Sequence, residues 1–329
     1  MSGAAGLIAL AAMAAVAAVV SAATIALRLR FADRGLDQPG HRSLHQRPTP
    51  HGGGLGIVAA TLLCGAWAGA GPVWLIPVLV LAAVSWADDW LDLPFWLRLG
   101  VHLASAATVV FFHGAGSPLL VALQVIVIAW SINAYNFMDG ADGLAGSMSA
   151  VGFAAYAIGF AHAGQAALAG LCIAVAAAAA SFLLFNWHPA RIFMGDVGAI
   201  PAGFLAGGLG WYGYSTGAWP LWFAPLVFAP FLFDATVTVV RRACRGERVW
   251  HAHREHYYQR MVRGGFAHDA MCLRWLLVML AGASLAVLML LFVQASGWIG
   301  AAAWSAVLVV LGHRIDRQWN RHMKTEPAK

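Results

Sequence analysis

Long apolar runs alternate with short polar connections along almost the whole chain. A run of about 20 apolar residues is long enough to cross the hydrocarbon core of a bilayer as a helix. Approximate spans of this kind cover residues 4–27, 53–70, 72–87, 99–112, 118–135, 146–163, 165–185, 199–215, 219–240, 274–295 and 297–312. The pattern therefore predicts an all-α polytopic integral membrane protein with about eleven transmembrane helices.

Composition agrees with this fold class. The chain has 329 residues, of which 61% are hydrophobic and 10% charged, and its mean hydropathy is +0.72. A soluble chain needs more polar surface than this. No Lys or Arg precedes the first span, and its apolar stretch exceeds the roughly 7 to 15 residues of a signal-peptide core, so we expect an uncleaved helix. The cysteines show no CxxC spacing, which argues against a disulfide framework or a zinc site.

The charged residues predict the orientation. All 20 Lys and Arg residues lie in or beside alternate connections or in the tail, and cytoplasmic loops carry such an excess. These connections cover residues 28–52, 88–98, 136–145, 186–198 and 241–273. The N-terminus is then outside and the C-terminus cytoplasmic, and residues 1–329 form one transmembrane catalytic domain with its active-site loops on the cytoplasmic face. Of the 14 acidic residues, Asp234 alone lies noticeably inside a span, either as a structural partner or as part of the site.

The stretch SWADDWLDLPFW carries Asp88, Asp89 and Asp92 at the end of the third span. Crowded carboxylates repel each other, so they persist where a cation or a proton offsets the charge, or where one of them acts as a base. A solvated helix end is the alternative for any one of these acids. Three together favour a functional site.

The stretch INAYNFMDGADGLAG places Asn133 and Asn136 one turn apart at the end of the fifth span, followed by Asp139 and Asp142. Its glycines allow the backbone to approach a ligand closely. A calcium loop would need a closing glutamate that is absent here. The residues therefore indicate a ligand site of another kind, with a polar helix exit as the alternative.

Two further stretches are weaker signals. FNWHPARIFMGDVG carries Asp196 before the eighth span, where helix capping is the alternative, with His188 and Arg191 as nearby cationic donors. RSLHQRPTPHGGGLGI lacks the strand and the lysine of nucleotide-binding fingerprints. Its amides precede a helix, where they either hold an anion or form a ligand-free Pro-Gly loop.

The connection 241–273 holds the densest positive charge, with His251, His253 and His256 among its arginines. Attraction of anionic lipids is the alternative, but histidines and arginine forks offer directional donors to phosphate oxygens. Carboxylate and amide oxygens on the same face suit Mg²⁺ or Mn²⁺. Together these loops predict metal-assisted phosphoryl transfer in which one partner is a lipid.

The motifs DDWLD, NAYNFMDGADGL, FMGDVG and HREHYYQR, in this order and on these loops, resemble the polyprenyl-phosphate N-acetylhexosamine-1-phosphate transferases, glycosyltransferase family 4. RSLHQRPTPHGGG is similar too, so the resemblance runs from about residue 37 to about residue 266. It implies an enzyme of the bacterial cytoplasmic membrane in which a UDP-N-acetylamino sugar donates sugar-1-phosphate to undecaprenyl phosphate, releasing UMP, with Mg²⁺ as cofactor. It implies no nucleic-acid partner, and a homodimer stays open.

The same resemblance implies roles for individual positions. Catalytic roles fall to Asp88, Asp89, Asp139 and His256. Magnesium binding falls to Asn136 and Asp196. Substrate contacts fall to Asn133, Asp142, Asp92, His253, Arg254, Arg260 and His45. Asp88 and Asp89 would deprotonate or position the lipid phosphate, and Asp142 would face the nucleotide. Direct attack and an aspartyl-phosphate intermediate both stay open.

One difference from the motifs of the family narrows the resemblance to one of its branches. The branch with a muramoyl-pentapeptide donor has a run of histidines where this chain reads HYYQR, which resembles the branch that begins O-antigen or related surface glycans. Two other functions remain as alternatives. An ion-coupled transporter is expected to carry acids near the membrane midplane. A CDP-alcohol phosphotransferase is expected to have Ala-Arg soon after its first Asp-Gly, whereas this chain reads DGADGLAG.

Overall fold

The computed structural model describes residues 3–31, 36–37, 48–113, 116–249 and 253–325. The helices in these ranges are α1 (Gly3–Arg30), α2 (Gly54–Ala68), α3 (Pro72–Leu91), α4 (Phe95–His113), α5 (Pro118–Phe137), α6 (Leu144–His162), α7 (Ala166–Asn186), α8 (Asp196–Ser215), α9 (Phe223–Val227), α10 (Ala229–Cys244), α11 (Tyr257–Arg263), α12 (His268–Phe292) and α13 (Gly297–Thr325). Two short strands, β1 (Leu36–Asp37) and β2 (Thr49–Pro50), pair antiparallel.

Within the described ranges, eight helices are long and apolar enough to cross a membrane. They are α1, α3, α4, α5, α6, α7, α12 and α13. The prediction of an all-α polytopic membrane protein is confirmed at this level. Helical segments also lie at each of the other predicted spans, as α2, α8 and the pair α9 and α10.

The ninth predicted span, residues 219–240, is wrong as a single helix. α9 ends at Val227 and α10 begins at Ala229, with Pro230 in the first turn of α10. Proline has no N–H to donate to a preceding turn but fits the first turn of a helix, so the chain breaks just before it. The second of the two helices, α10, carries Asp234.

Two predicted helix ends also shift. α3 continues to Leu91, so Asp88 and Asp89 lie on its last turns instead of in the connection predicted to begin at residue 88. α8 begins at Asp196, three residues before the predicted span. Both shifts place site residues on helices, which hold side chains more rigidly than loops do.

The centre of the bundle is α7, which packs against α1, α2 and α6. Small residues let these helices approach closely. Ser21 Oγ donates to the Ala178 carbonyl at 3.0 Å, and Ser181 Oγ donates to the Ala18 carbonyl at 2.9 Å. The two reciprocal bonds fix α1 on α7 and satisfy hydroxyls that have no water to bind in an apolar interior.

Four helix ends meet at one end of the bundle, which we call the acidic end: the last turns of α3 and α5 and the first turns of α2 and α8. Gly54 of α2 and Gly198 of α8 touch so closely that a Cβ at either would collide with backbone of the other helix. At the opposite end, Gln165 Nε2 donates to Thr216 Oγ1 at 3.2 Å, which joins the turn between α6 and α7 to the end of α8. α8 therefore runs from the acidic end to the far end of the bundle.

Candidate active site

The acidic end brings together two polar residues that are 60 positions apart in the chain. Asn136, on the last turn of α5, lies with its Nδ2 3.4 Å from Oδ2 of Asp196, the first residue of α8. Both side chains are half-buried. The sequence predicts that these two residues share a metal, and the structure places them side by side; the metal assignment itself stays a prediction.

Asp139 belongs to the same cluster. Its Oδ2 accepts the backbone N–H of Gly195 at 3.1 Å, where Gly195 adopts a positive φ of 72° that glycine takes without strain. Burial and the negative charge of Asp196 raise the pKa of the Asp139 carboxyl well above its usual range, although the Gly195 N–H opposes the rise. Two acids this close favour a proton or a cation between them.

The donor set at this cluster fits Mg²⁺. Mg²⁺ typically takes one or two protein carboxylates and completes its octahedron with water and substrate phosphates. Among the described residues no group of three His, Cys, Asp or Glu forms a closed metal cage, which is the arrangement a structural zinc site would need. Asp196 and the amide oxygen of Asn136 are the residues that would hold the ion, because an amide can turn its oxygen toward a cation.

The carboxylates at the end of α3 have different partners. Asp88 Oδ2 lies 2.6 Å from Nη1 of Arg98, and its Oδ1 accepts the Leu93 N–H at 2.7 Å. Asp89 Oδ2 lies 3.3 Å from Nδ1 of His51. Both acids are close enough to Asp196 to act on it electrostatically, Asp89 more strongly. The charge of Asp88 is thus neutralised by Arg98, whereas Asp89 lies beside His51 and next to Asp196.

Asp92 lies one residue past the end of α3. It is exposed and has a positive φ of 47°, and its N–H donates to the Asp88 carbonyl. A left-handed residue at this position ends a helix. The structure therefore gives Asp92 the role of a helix terminator, and its predicted substrate contact stays a prediction.

The glycine run of the first loop lies against the connection that leads into α8. The N–H groups of Gly53 and Gly54 donate to the carbonyls of Phe193 and Met194 at 2.8 and 3.0 Å, and Phe193 N–H donates to the Pro50 carbonyl at 2.8 Å. These two glycine amides are therefore bonded within the chain, and anion binding by the remaining amides of the run stays a prediction. The glycines also allow the two backbones to touch. His45, predicted from the same loop, lies outside the described residues.

The structure answers the question that the sequence leaves open about Asp234. This fully buried carboxylate accepts the N–H groups of Tyr257 and Tyr258 at 3.0 and 3.3 Å, and the Thr238 hydroxyl at 3.2 Å. Its Oδ1 also lies 3.0 Å from Nδ1 of His256. One carboxylate thus binds the first turn of α11 and orients the histidine before it, so Asp234 is a structural partner of the histidine loop, residues 253–258.

The histidine loop adjoins the acidic end through Tyr258, whose hydroxyl donates to the Phe137 carbonyl at 3.2 Å. The His256 ring lies 6.1 Å from the Phe137 ring and 4.8 Å from the His253 ring, measured between centroids. Burial, together with the nearby His256 and Arg242, lowers the pKa of His253 to about 4. His253 is therefore neutral near pH 7 and offers hydrogen bonds instead of charge.

One of the two arginines that we expect to contact substrate, Arg260, is paired with acids of the chain. Arg260 lies 2.8 Å from Asp316 and 3.3 Å from Glu255, and Asp316 also binds Arg241 at 2.8 Å. The Arg254 carbonyl accepts from Arg263 at 2.8 Å. These pairs fix the histidine loop to α10 and α13. They leave substrate binding by Arg254 and Arg260 as predictions.

Asp142 and Asn133 also have partners within the chain. Asp142 Oδ2 lies 2.7 Å from His188 Nδ1 and accepts the Ala190 N–H at 3.0 Å. Asn133 Nδ2 donates to the Ala129 carbonyl of its own helix at 2.8 Å. Asp142 therefore joins the loop after α5 to the loop before α8.

Sequence reasoning missed three residues that organise the site. Asn186 accepts the Gly143 N–H at 2.8 Å and donates to the Ile192 carbonyl at 2.9 Å, which joins the two site loops. Arg98 and His51 are the partners of Asp88 and Asp89. The sequence carried one signal for these residues, the amide of Asn186 at the end of an otherwise apolar helix. The other pairs could not be found because partners that are distant in sequence leave no local pattern.

Comparison with known proteins gives independent support for the family that the sequence motifs resemble. Residues 72–213 match the model of glycosyl transferase family 4. A protein of Streptomyces coelicolor named as a glycosyltransferase is 33% identical over 301 residues, which cover 85% of this chain and 68% of that protein. A probable undecaprenyl-phosphate N-acetylglucosaminyl 1-phosphate transferase of Bacillus subtilis is 26% identical over 74% of each chain. An undecaprenyl-phosphate alpha-N-acetylglucosaminyl 1-phosphate transferase of Yersinia pestis is 26% identical over 86% of this chain and 85% of its own.

Proposed function

The chain belongs to glycosyl transferase family 4 and is a membrane-bound glycosyl-1-phosphate transferase, and on this premise we propose its substrates. It transfers an N-acetylamino-sugar 1-phosphate from a UDP-sugar to undecaprenyl phosphate and releases UMP. The product begins a lipid-linked surface glycan, with O-antigen and related glycans as the favoured class. The observation that carries the proposal is the meeting of Asn136, Asp139 and Asp196 beside Asp89 at one end of the bundle.

The proposed reaction forms one bond and breaks one bond. An oxygen of the lipid phosphate attacks the β-phosphorus of the UDP-sugar, and the bond from that phosphorus to the oxygen of the α-phosphate breaks, so that UMP leaves. Asp89 accepts the proton of the lipid phosphate or positions it, with His51 as its neighbour. Asp139 lines the reacting centre. His253, which is neutral near pH 7, and His256 donate hydrogen bonds to phosphate oxygens.

A divalent cation, Mg²⁺ or Mn²⁺, supplies charge neutralisation for the pyrophosphate when it is bound by Asn136 and Asp196. The pairing of like charges at Asp139 and Asp196 supports this assignment, since a cation would relieve their repulsion. Arg245 and Arg260, which flank the histidine loop, are paired with Glu255 and Asp316, and so these two cations fix the loop.

We also propose that the chain crosses the membrane eleven times, with the acidic end cytoplasmic. α8 has 20 residues, about 30 Å of helix, and runs the length of the bundle. α9 and α10 return to the acidic end, where Tyr258 beside α10 contacts Phe137. Alternation of eleven crossings leaves all 20 Lys and Arg residues on one side, as the positive-inside rule favours.

The transporter alternative loses its main support. Asp234, the one acid set well into a predicted span, has its carboxylate bound to the first turn of α11 and to His256. This carboxylate is fully buried and bonded within the chain, so it serves the histidine loop instead of lining an ion path. The CDP-alcohol alternative lacks its Ala-Arg signature in this sequence.

The direct test is an assay with purified full-length protein, Mg²⁺, undecaprenyl phosphate and a panel of radiolabelled UDP-sugars. We expect UMP and a lipid-extractable sugar in equal amounts with one UDP-N-acetylamino sugar. CDP-alcohol chemistry would give CMP from a CDP donor, and a transporter would give no product with either. Absence of UMP across the whole panel would refute the proposed function.

A further inference from the structure

A cavity separate from the acidic end lies between α11, α12 and α13. Its volume is about 350 Å³, enough for about a dozen groups the size of a water molecule. Its walls are mainly apolar and include Met261, Phe266, Trp275, Leu308 and Leu311. A cavity of this shape between membrane helices fits part of an acyl chain better than a protein segment.

Two cationic side chains also line this cavity. Arg274 of α12 and Arg314 of α13 are both exposed. Arg274 lies over the Phe266 ring, 4.2 Å from its centroid. The two arginines stand where each helix passes from apolar to charged sequence, the depth at which a lipid phosphate is found. Their charge is complementary to an anionic headgroup above an apolar cavity.

A third observation comes from Trp275. This side chain is 7% exposed and lines the cavity, and its indole N–H is buried without a hydrogen-bond acceptor among the described residues. A buried tryptophan N–H usually finds an acceptor. An ester or phosphate oxygen of a lipid in the cavity would supply one.

From these three features we infer that the cavity between α11, α12 and α13 is a binding site for an anionic phospholipid of the surrounding bilayer. The acyl chain occupies the apolar cavity, the phosphate contacts Arg274 and Arg314, and a lipid oxygen accepts from Trp275. The occupant is a bilayer lipid and not the polyprenyl substrate, because none of the acids at which we place substrate lines this cavity.

The site also adjoins the histidine loop. Tyr257 lines the cavity and stacks on Phe233 with ring centroids 5.7 Å apart, while its backbone N–H is bound by Asp234. Tyr258, the next residue, contacts Phe137 at the acidic end. A lipid that fills the cavity therefore supports the wall that positions His256.

Binding can be measured on purified, delipidated full-length protein in detergent. Short-chain phosphatidylglycerol is titrated against short-chain phosphatidylcholine, and the midpoint of the thermal-stability increase gives the apparent affinity. We expect a saturable increase with phosphatidylglycerol that phosphatidylcholine does not reproduce. The double variant Arg274→Gln/Arg314→Gln should weaken phosphatidylglycerol binding on the order of 30-fold, about fivefold for each cation.

Matched variants separate this site from general charge effects. Arg317→Gln removes an exposed cation of α13 that does not line the cavity, and it should leave the affinity unchanged. Arg274→Lys/Arg314→Lys keeps the charge and should retain most of the binding, which guards against misfolding of the glutamine variant. Trp275→Phe keeps the ring, removes the donor and should weaken binding a few-fold.

The inference is overturned if phosphatidylcholine stabilises the protein equally, or if Arg317→Gln weakens binding as much as the double variant. It is also overturned if undecaprenyl phosphate, and not phosphatidylglycerol, gives the arginine-dependent stabilisation, since the cavity would then belong to the substrate. A shift in oligomeric state without lipid dependence would assign the surface to a second copy of the chain.

Discussion

At the scale of single residues, identical side chains at the acidic end have different partners and therefore different chemistry. Asp88 is neutralised by Arg98, Asp142 binds His188, and Asp139 is buried beside Asp196 with its pKa raised. A carboxylate paired with arginine stays ionised and fixed in place, whereas two neighbouring carboxylates favour a cation. The metal assignment at Asn136 and Asp196 depends on this difference.

Asp196→Asn tests that assignment. The substitution keeps the size of the side chain and removes the charge that would bind Mg²⁺, so we expect kcat to fall by at least about 100-fold. The Mg²⁺ concentration needed for half-maximal activity should rise in any residual turnover. Asp269→Asn, which removes an exposed acid at the start of α12, is the control and should remain active. Normal Mg²⁺-dependent turnover of a folded Asp196→Asn protein would contradict the assignment.

The pair Asp88 and Asp89 allows a second test. Because Asp88 is bound by Arg98 and the Leu93 N–H, we expect Asp89 to contact the lipid phosphate and Asp88 to act through structure. Asp89→Asn should then lower kcat by about 100-fold or more with little change in KM for the UDP-sugar.

Asp88→Asn and Arg98→Gln should resemble each other, because each breaks the same pair, and both should lower thermal stability as well as turnover. Steady-state kinetics and melting temperatures of the three variants make the comparison. An inactive Asp88→Asn beside a fully active Arg98→Gln would show that Asp88 has a direct role.

Much of this residue-level picture could be predicted, and part of it could not. The family resemblance implies that Asn136 and Asp196 bind one metal, and the structure places these two side chains side by side. The pairing of Asp88 with Arg98 and of Asp234 with His256 could not be predicted, because helix packing decides which distant side chains meet. The glycine run before α2 resembles an anion site in sequence, but the amides of Gly53 and Gly54 bind the connection before α8.

At the scale of elements, the break between α9 and α10 precedes the helix that supports the histidine loop. Asp234 of α10 lies at the first turn of α11, where it accepts two backbone N–H groups and contacts His256. The negative carboxylate also suits the positive end of a helix dipole. Apolar periodicity alone predicts one continuous span here. In the sequence, Pro230 is compatible with one continuous helix or with the start of a second helix, and the structure places it in the first turn of α10.

Asp234 should therefore act on turnover through His256. We expect Asp234→Asn to lower kcat about 10- to 100-fold by releasing the ring from its fixed orientation, as loss of a carboxylate partner does for other functional histidines. His256→Gln should lower kcat similarly.

The measurement is a double-mutant cycle on kcat, with melting temperatures recorded for every variant. If Asp234 positions His256, the double variant should be little worse than His256→Gln alone. Fully additive losses would mean that the two residues act independently. Asp316→Asn, which breaks the contacts with Arg241 and Arg260 instead, serves as the comparison and should couple less strongly to His256.

At the scale of the whole molecule, helix length and hydropathy mark eight helices of the described ranges as able to cross a membrane, whereas the charge pattern favours the proposed eleven crossings. The difference lies in α2, α8 and the pair α9 and α10, which are short, glycine-rich or broken. These segments are buried among other helices, so they need less apolar surface than a helix that faces lipid. They also carry Gly54, Asp196 and Asp234, residues that build the acidic end and the histidine loop.

Eleven crossings and eight crossings predict different arrangements of three positions across the two sides of the membrane. With eleven crossings, Ala163 in the turn after α6 and Ser215 at the end of α8 face outside, and Cys244 at the end of α10 is cytoplasmic. With eight crossings, Ser215 and Cys244 share a side and Ala163 lies opposite. Cys244 is exposed and the other three cysteines are buried, and Ala163 and Ser215 are exposed, so a thiol reagent can distinguish all three positions.

A membrane-impermeant maleimide applied to spheroplasts should therefore leave Cys244 unlabelled until the cells are lysed. In a Cys244→Ser background, Ala163→Cys and Ser215→Cys should both be labelled without lysis. Labelling of Ala163→Cys and Ser215→Cys from opposite sides would support eight crossings and would place the two ends of α8 on one face. That result would be incompatible with a helix whose first residue joins the acidic end and whose last turn contacts Gln165 at the other end, so the labelling pattern tests the topology and the location of the active site together.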